Sequence, residues 1–411
     1  MRAFRNKTNC WPLAEWGEKA KVSALQKMLS GPAHPELISF ALGLPDSGLL
    51  PNPGCAAALR WVLETNNGAL QYSPAIETLK ERIVELMRRR GVKCAKEQIF
   101  LTAGAQQGLN LLARLFIRRE APVLVESAVY PGFRQVLETC DAEIIAVSSH
   151  PESGIDVDQL KSILTTGLRP SMLFVNGGPH NPLTVSMSME QRKRVVELAQ
   201  EYEFPIVEDD AYGLLNYEGP AIPPLCAMGE GTVCYAGSLS KIFAPALRVG
   251  WIVAPEWIMP KLAILKEASD LDVATVGQRA AARMFDVIGL DAHLEALRST
   301  YRARRDKMLD VLQAEMSEFA SWHKPKGGFF IWLRLNDPVD TGFLLEQSIS
   351  QHNVAFMPGS AFSFAHGQRW TNCFRLSFSN LAPERMEQGI HRLAKCLQEA
   401  DTLYTLAVSN S

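Results

Sequence analysis

The stretch YAGSLSKIFAPALRVGW, residues 235–251, decides how this chain is read. Its lysine, Lys241, follows the small hydroxyl residues Ser238 and Ser240, and Arg248 stands seven positions on. A lysine so placed can form an imine, while the hydroxyls and the arginine can cradle a phosphate. Pyridoxal phosphate asks for both at once, since its aldehyde needs an amine and its phosphate needs donors. A surface lysine in a loop is the plain alternative, and the rest of the chain decides between them.

Outward from this run, short apolar segments alternate with amphipathic ones. Candidate strands cover 98–102, 122–126, 143–148, 172–176, 205–208, 233–237 and 250–254, with candidate helices at 106–118, 130–140, 157–165 and 189–202 between them. Short buried strands alternating with helices imply βαβ units and an α/β fold with a mostly parallel sheet. Before them, 1 to about 50 is irregular, apart from a helical pattern over 20–29. After them, 276–316 is mainly helical, strands are expected at 328–333, 354–357 and 374–378, and a closing helix starts at Pro383. The expected division is 1-54 as an arm and part of a small domain, 55-285 as a large domain, and 286-411 as a small α+β domain.

The 411 residues exceed one ordinary core. With 47% hydrophobic and 21% charged residues the composition is that of a globular protein. A net charge of -2 leaves no basic field for nucleic acid or an anionic membrane. The first residues, MRAFRNKTNCW, lack an apolar signal core, and no run is long and apolar enough to span a bilayer. The 8 cysteines form no Cys-x-x-Cys pair and no metal-ligand spacing, so buried, reduced thiols in a cytoplasmic protein are expected, and no metal.

Further chemistry sits at the ends of the candidate strands. In Leu101-Thr102-Ala103-Gly104-Ala105-Gln106-Gln107-Gly108 a strand turns into a helix, whose free N–H groups favour an anion. Val207-Glu208-Asp209-Asp210-Ala211-Tyr212 puts a carboxylate where α/β sheets bind ligands, and a carboxylate there can keep a pyridine nitrogen protonated. Tyr212 and the amide of Asn181, in His180-Asn181-Pro182, can both donate to a phenolate oxygen. Tyr130, opening a helix, can stack on a ring. Arg375 stands alone in the apolar run Phe374–Phe378, where a substrate carboxylate suits its fork and a structural salt bridge is the alternative. Trp11, Trp16 and Phe362 are candidates for the pocket edge, or for core and solvent-facing roles.

Asn181, Asp209 and Lys241, spaced by 28 and 32 residues and followed by Arg248 and Arg375, resemble the fold-type I, class I/II aminotransferases. Within these the chain is most similar to the branch with α-aminoadipate and kynurenine aminotransferases and MocR-type regulators. The resemblance runs from ISFALGLPD at 38–46 to RLSF at 375–378. It implies the aspartate-aminotransferase-like fold with a seven-stranded sheet in its large domain. It also implies pyridoxal phosphate, and transfer of an amino group between an α-amino acid and a 2-keto acid. By this resemblance Lys241 is the Schiff-base lysine and proton shuttle, Asp209 the partner of the pyridine nitrogen, and Asn181 with Tyr212 the phenolate donors. Ala105, Gln106, Ser238, Ser240 and Arg248 match phosphate-cup positions, Tyr130 the stacking aromatic, and Arg375 with Gly43 and Asn181 the substrate site. Tyr72 matches a tyrosine that crosses to the partner's phosphate, which implies a homodimer.

Three places depart from the family's pattern. Thr184 replaces a glycine after Asn181-Pro182-Leu183, which is expected to change the turn because Thr resists φ > 0. The segment after Tyr72 lacks a glycine around Glu77 and looks shortened, and Ser127 stands where Pro is common. These departures keep open a pyridoxal-phosphate lyase, cyclase or oxidase. A third reading, a non-catalytic sensor of the MocR type, is disfavoured by the roughly 50 residues before the large domain, too few for a winged helix plus an arm.

Overall fold

A computed structural model describes residues 13, 15–19, 22, 36–220, 222–364 and 368–409. The helix expected over 20–29 lies outside these residues, except for Val22, and so does Trp11. Seven strands form the main sheet: β1 Ile99–Thr102, β2 Val123–Glu126, β3 Ile144–Val147, β4 Met172–Val175, β5 Ile206–Asp209, β6 Val233–Ser238 and β7 Gly250–Val253. Every end lies within one residue of its expectation. The spatial order is β1-β7-β6-β5-β4-β2-β3. Only β7 runs antiparallel to its neighbours.

Strands β2, β4, β5, β6 and β7 are buried along their whole length. That explains why they read as continuous apolar runs rather than alternating ones, for helices cover both faces. Val123, Val125, Phe174 and Val207 pack with Leu109, Leu112 and Phe133 from the helices Ala105–Phe116 and Pro131–Thr139. Leu124, Leu173, Val175 and Ile206 point the other way, to Leu160 and Val195 from Val157–Thr165 and Met189–Glu201. Each such side chain contributes about 1.5–3 kcal/mol on burial.

A second, antiparallel sheet has the order Ala320–Trp322, Phe330–Leu335, Cys373–Ser377, Met357–Pro358. The N-terminal segment is laced into this part: Ile38–Ser39 pairs in parallel with Val354–Ala355, and Ser377 N donates to Phe40 O at 2.9 Å. That pairing draws residues 41–46 across the ends of the main sheet. Ile38–Ser39 and Ala320–Trp322 are not marked in the sequence, since two or three residues carry no period. After Tyr72 a short non-helical stretch, residues 73–76, leads into the helix Glu77–Arg89, with Glu77 in its first turn.

The thiols depart in part from expectation. Cys234, Cys373 and Cys396 are buried, but Cys55, Cys94, Cys140 and Cys226 are only partly so. Among the described residues no helix is long and apolar enough to cross a membrane.

Candidate active site

At the carboxyl ends of β1, β5 and β6 a cavity of ≈ 180 Å³ opens, where a mostly parallel sheet leaves its ligand crevice. Ala105, Gln106, Tyr130, Asn181, Asp209, Tyr212, Ser238, Ser240, Lys241 and Arg248 all line it, joined by Leu109, Ala211 and Pro245. Residues up to 143 positions apart in the chain are thus brought to one place by strand register, since Gly250 pairs with both Thr102 and Ser238.

One end of the cavity is rich in donors. The helix Ala105–Phe116 begins after Gly104, at φ 83. Its first N–H groups lack intrahelical partners. A Cβ on Gly104 would lie 2.7 Å from Arg248 Nη2, and one on Gly250 2.5 Å from the Gly104 carbonyl carbon. Both glycines therefore permit close approach of backbone to backbone and of arginine to loop. Arg248 itself adopts φ 52, a strained conformation of the sort that collects at functional sites, and its Nη2 donates to Ala103 O at 2.9 Å. Ser238 Oγ donates to Ser240 Oγ at 2.9 Å and accepts from Ser240 N at 3.1 Å.

The floor is the end of β5. Strand alternation turns Glu208 away from the cavity and Asp209 into it. Glu208 accepts from Leu225 N at 2.8 Å and Cys226 N at 3.1 Å, with Arg192 Nη1 at 3.7 Å. Asp209, also buried, has an Oδ1 with no hydrogen-bond partner. Burial, and then the neighbouring Asp210, push the Asp209 carboxyl up to about 7, against His180 and Lys241, which favour its charged form. His180 has no role legible in the sequence beyond preceding Asn181. Its Nδ1 accepts from Leu183 N at 3.1 Å and its Nε2 lies 3.1 Å from Glu126 Oε2.

Between floor and donors stands Lys241. Its Nζ donates to Gly43 O at 2.9 Å and lies 5.7 Å from the centre of the Tyr212 ring. Burial, helped by Arg375 and Arg248 and opposed by Asp209, lowers its amine to about 8. Burial pushes the Tyr212 and Tyr130 phenols up.

Arg375 comes from the second sheet, where register sets it opposite Trp332 and Met357. It is buried, and burial lowers its guanidinium to about 10. Nη1 donates to Asn181 Oδ1 and Nη2 to Ala41 O, the latter at 2.6 Å. The guanidinium lies 3.8 Å from the centre of the Phe330 ring and 4.9 Å from that of Phe362, a contact worth about 2 kcal/mol when desolvated. Of the aromatic edge candidates, Phe362 is a buried core residue that touches Arg375 without lining the cavity, while Trp16 is half-exposed. Phe330 went unnoticed in the sequence, where it reads as one more apolar strand residue. Gly43 is fixed by Phe330 too, for a Cβ would meet that ring at 2.3 Å.

Two expectations come out differently or apart. Thr184 does adopt a left-handed φ of 65, so the turn keeps the shape a glycine would give it. Thr184 N donates to His180 O and His180 N to Val185 O, both at 2.8 Å, and these bonds offset the cost of that φ. Tyr72 is not in the cavity: it is 74% exposed.

The sequence model of the family described as "Aminotransferase class I and II" matches residues 36–393. The chain belongs to the class I and II aminotransferases. It is 35% identical over 396 residues to aromatic-amino-acid aminotransferase 1 of Thermococcus litoralis, covering 93% of this chain and 94% of that one. The α-aminoadipate aminotransferase of Thermus thermophilus, solved with N-(5'-phosphopyridoxyl)-L-leucine, superposes with a TM-score of 0.88 at 30% identity over 95% of this chain and 98% of its own. The kynurenine aminotransferase of Pyrococcus horikoshii does so with 0.88 at 32%, over 94% and 97%. This aminotransferase therefore has the aspartate-aminotransferase-like fold type I, and its cofactor is pyridoxal phosphate. The lyase, cyclase or oxidase alternative gains no support from these relatives.

Proposed function

We propose that Lys241 carries the transamination, with Asp209, Arg248 and Arg375 holding ring nitrogen, phosphate and substrate carboxylate. The observation that carries this reading is Asp209 Oδ1, a buried carboxylate oxygen with no protein partner in the same cavity as the donors. A carboxyl pushed up to about 7 by burial suits a cationic partner, which would restore its charged form.

Pyridoxal phosphate supplies an aldehyde that condenses with amines and a ring that draws electrons from them. The chain's own residues do the rest. Lys241 Nζ would hold the cofactor's aldehyde end and, as a free amine, would take a proton from the substrate's α-carbon. An amine lowered to about 8 keeps a usable neutral fraction near pH 7, which a general base requires. Arg248, Ser238, Ser240 and the N–H groups of Ala105 and Gln106 would bind the phosphate. Arg375 orients the Asn181 amide by taking its Oδ1, which leaves the Asn181 NH₂ to donate, with Tyr212, to the phenolate oxygen. Tyr130 would offer its aromatic face to the ring.

The substrates on this reading are an α-amino acid, anchored by Arg375 against the backbone of Gly43, and a 2-keto acid. Aromatic amino acids, 2-aminoadipate and kynurenine are the first to try, because relatives are named for them. We also propose a homodimer in which the exposed Tyr72 reaches the partner's phosphate, and the division 1-54, 55-285 and 286-411. The test is a single-turnover scan of the holoenzyme with α-amino acids, read by absorbance and by keto-acid release. One keto acid per cofactor is expected from at least one of them, and none from any would defeat the reading.

A further inference from the structure

The end of β5 carries a second carboxylate, Asp210, that no step above uses. Arg90 Nη2 stands 2.8 Å from Asp210 Oδ2, and the two side chains are 6% and 1% exposed. Arg90 closes the helix Glu77–Arg89, so that helix ends by delivering a cation into the interior. Two glycines make the room. A Cβ on Gly213 would lie 2.3 Å from Arg90 Nη1 and 2.4 Å from Asp210 Oδ1, and one on Gly178 would lie 2.4 Å from Asp210 Oδ1. Neither glycine has a positive φ, so space for the pair, and not the shape of a turn, accounts for the missing side chains.

A buried ion pair costs desolvation that its own attraction barely repays, and it is poor evidence of a stabilising role. Its effect on neighbours is therefore the better place to look for its use. Asp209 is faced by Asp210, His180, Lys241, Tyr130 and Tyr212. After burial, Asp210 is the neighbour that raises its proton affinity, while His180 and Lys241 oppose. Asp210 in turn is faced by Arg90, Glu208, Arg192, Tyr235 and Cys226. Burial works against the charged guanidinium of Arg90, and Asp210, Tyr235 and Glu208 more than offset it.

We propose that Asp210, paired with Arg90, is a positioning residue for the aminotransferase reaction: it stands next to Asp209 at the end of β5, so that two carboxylates rather than one keep the cofactor's ring nitrogen protonated. The inference rests on the assignment of Asp209 to that nitrogen. Arg90 pairs with Asp210 and not with Asp209, which leaves Asp209 Oδ1 free for the cofactor.

The test is NMR of the full-length holoenzyme reconstituted with pyridoxal phosphate carrying ¹⁵N in its ring, titrated in pH. In Asp210→Asn the pH at which the ring nitrogen loses its proton falls by about one unit, a tenfold loss of proton affinity. A folded Asp210→Asn protein with the wild-type midpoint overturns the proposal, even if its melting temperature drops, because that pattern is a structural role alone. Should Asp210→Asn not fold, the double variant Arg90→Met/Asp210→Asn leaves no buried charge unpaired and is read instead. A fall in its midpoint supports the proposal, and an unchanged one overturns it. Asp209→Asn separates the two readings. If it too leaves the ring signal untouched, the assignment of Asp209 fails; if only Asp209→Asn moves the signal, the role of Asp210 alone fails.

Discussion

Asp209 and Arg375 are the two buried charges that the proposed reading gives to cofactor and substrate, yet they are furnished differently. Asp209 Oδ1 has no partner, whereas both terminal nitrogens of Arg375 are taken, by Asn181 Oδ1 and Ala41 O, and two phenyl rings flank the guanidinium. A buried polar atom without a partner is costly, so the Asp209 side is built for an occupant that stays. The terminal nitrogens of Arg375 are satisfied by the chain itself, and its Nε is the one nitrogen there without a partner. On the proposed reading a substrate carboxylate would exchange with the Ala41 carbonyl there.

The largest effect belongs to Lys241. Lys241→Ala is expected to slow the half-reaction by on the order of 10⁴ or more, measured by stopped-flow absorbance. It leaves carboxylate binding at Arg375 unchanged, and a matching loss of substrate affinity would undo the division into two sides.

Asp209→Asn sharpens the contrast through stability. It is expected to lower kcat by on the order of 10²–10³. It should also stabilise the cofactor-free protein by on the order of 1–3 kcal/mol above pH 7, because an unpartnered buried charge is gone. The carboxyl of Asp209 is raised from 3.8 to about 7, so the folded state holds its proton more tightly. That contribution is complete below pH 4 and is lost as pH rises through 7. Lys241, lowered from 10.5 to about 8, acts the other way: its charge costs stability below pH 8, and the cost fades between 8 and 10.5. Thermal unfolding across pH checks both, and an Asp209→Asn protein that keeps the slope between pH 4 and 7 counts against the assignment.

Arg375→Lys probes the other side. Loss of the fork and of ring stacking is expected to raise KM by roughly 10–100-fold with little change in kcat. A fall in kcat alone would mean that Arg375 acts on the chemistry and not on docking. The smallest effect is that of Tyr72→Phe, about tenfold in cofactor affinity, the worth of one hydrogen bond to a charged group. Mixing it with Lys241→Ala protein should generate hybrid dimers with one fully native site, and no gain of activity on mixing would refute the shared site.

How much of this was legible in the sequence follows from physics. Buried β strands are runs of Val, Ile, Leu and Phe, so all seven of the main sheet could be read, and strand ends then located Asp209, Ser238 and the helix at Ala105. The cavity gathers every residue expected to hold the cofactor except Tyr72. What escaped was set by tertiary contact. Ile38–Ser39 is too short to have a period, yet it brings Ala41 and Gly43 to the site. Phe330 differs from a core phenylalanine only in what lies on its face. Thr184 was misjudged because propensity weighs φ alone, and the bonds of its turn outweigh it. Arg90 reads as one more basic residue after Arg88 and Arg89, and only the fold turns it inward.

The most direct test is one turnover of the holoenzyme with an amino acid that changes its absorbance, with no keto acid added. Equal amounts of keto acid and aminated cofactor should form, and adding a 2-keto acid should restore the starting spectrum, with neither change in Lys241→Ala. Free ammonia in place of aminated cofactor, or an equally fast turnover without Lys241, would contradict the account.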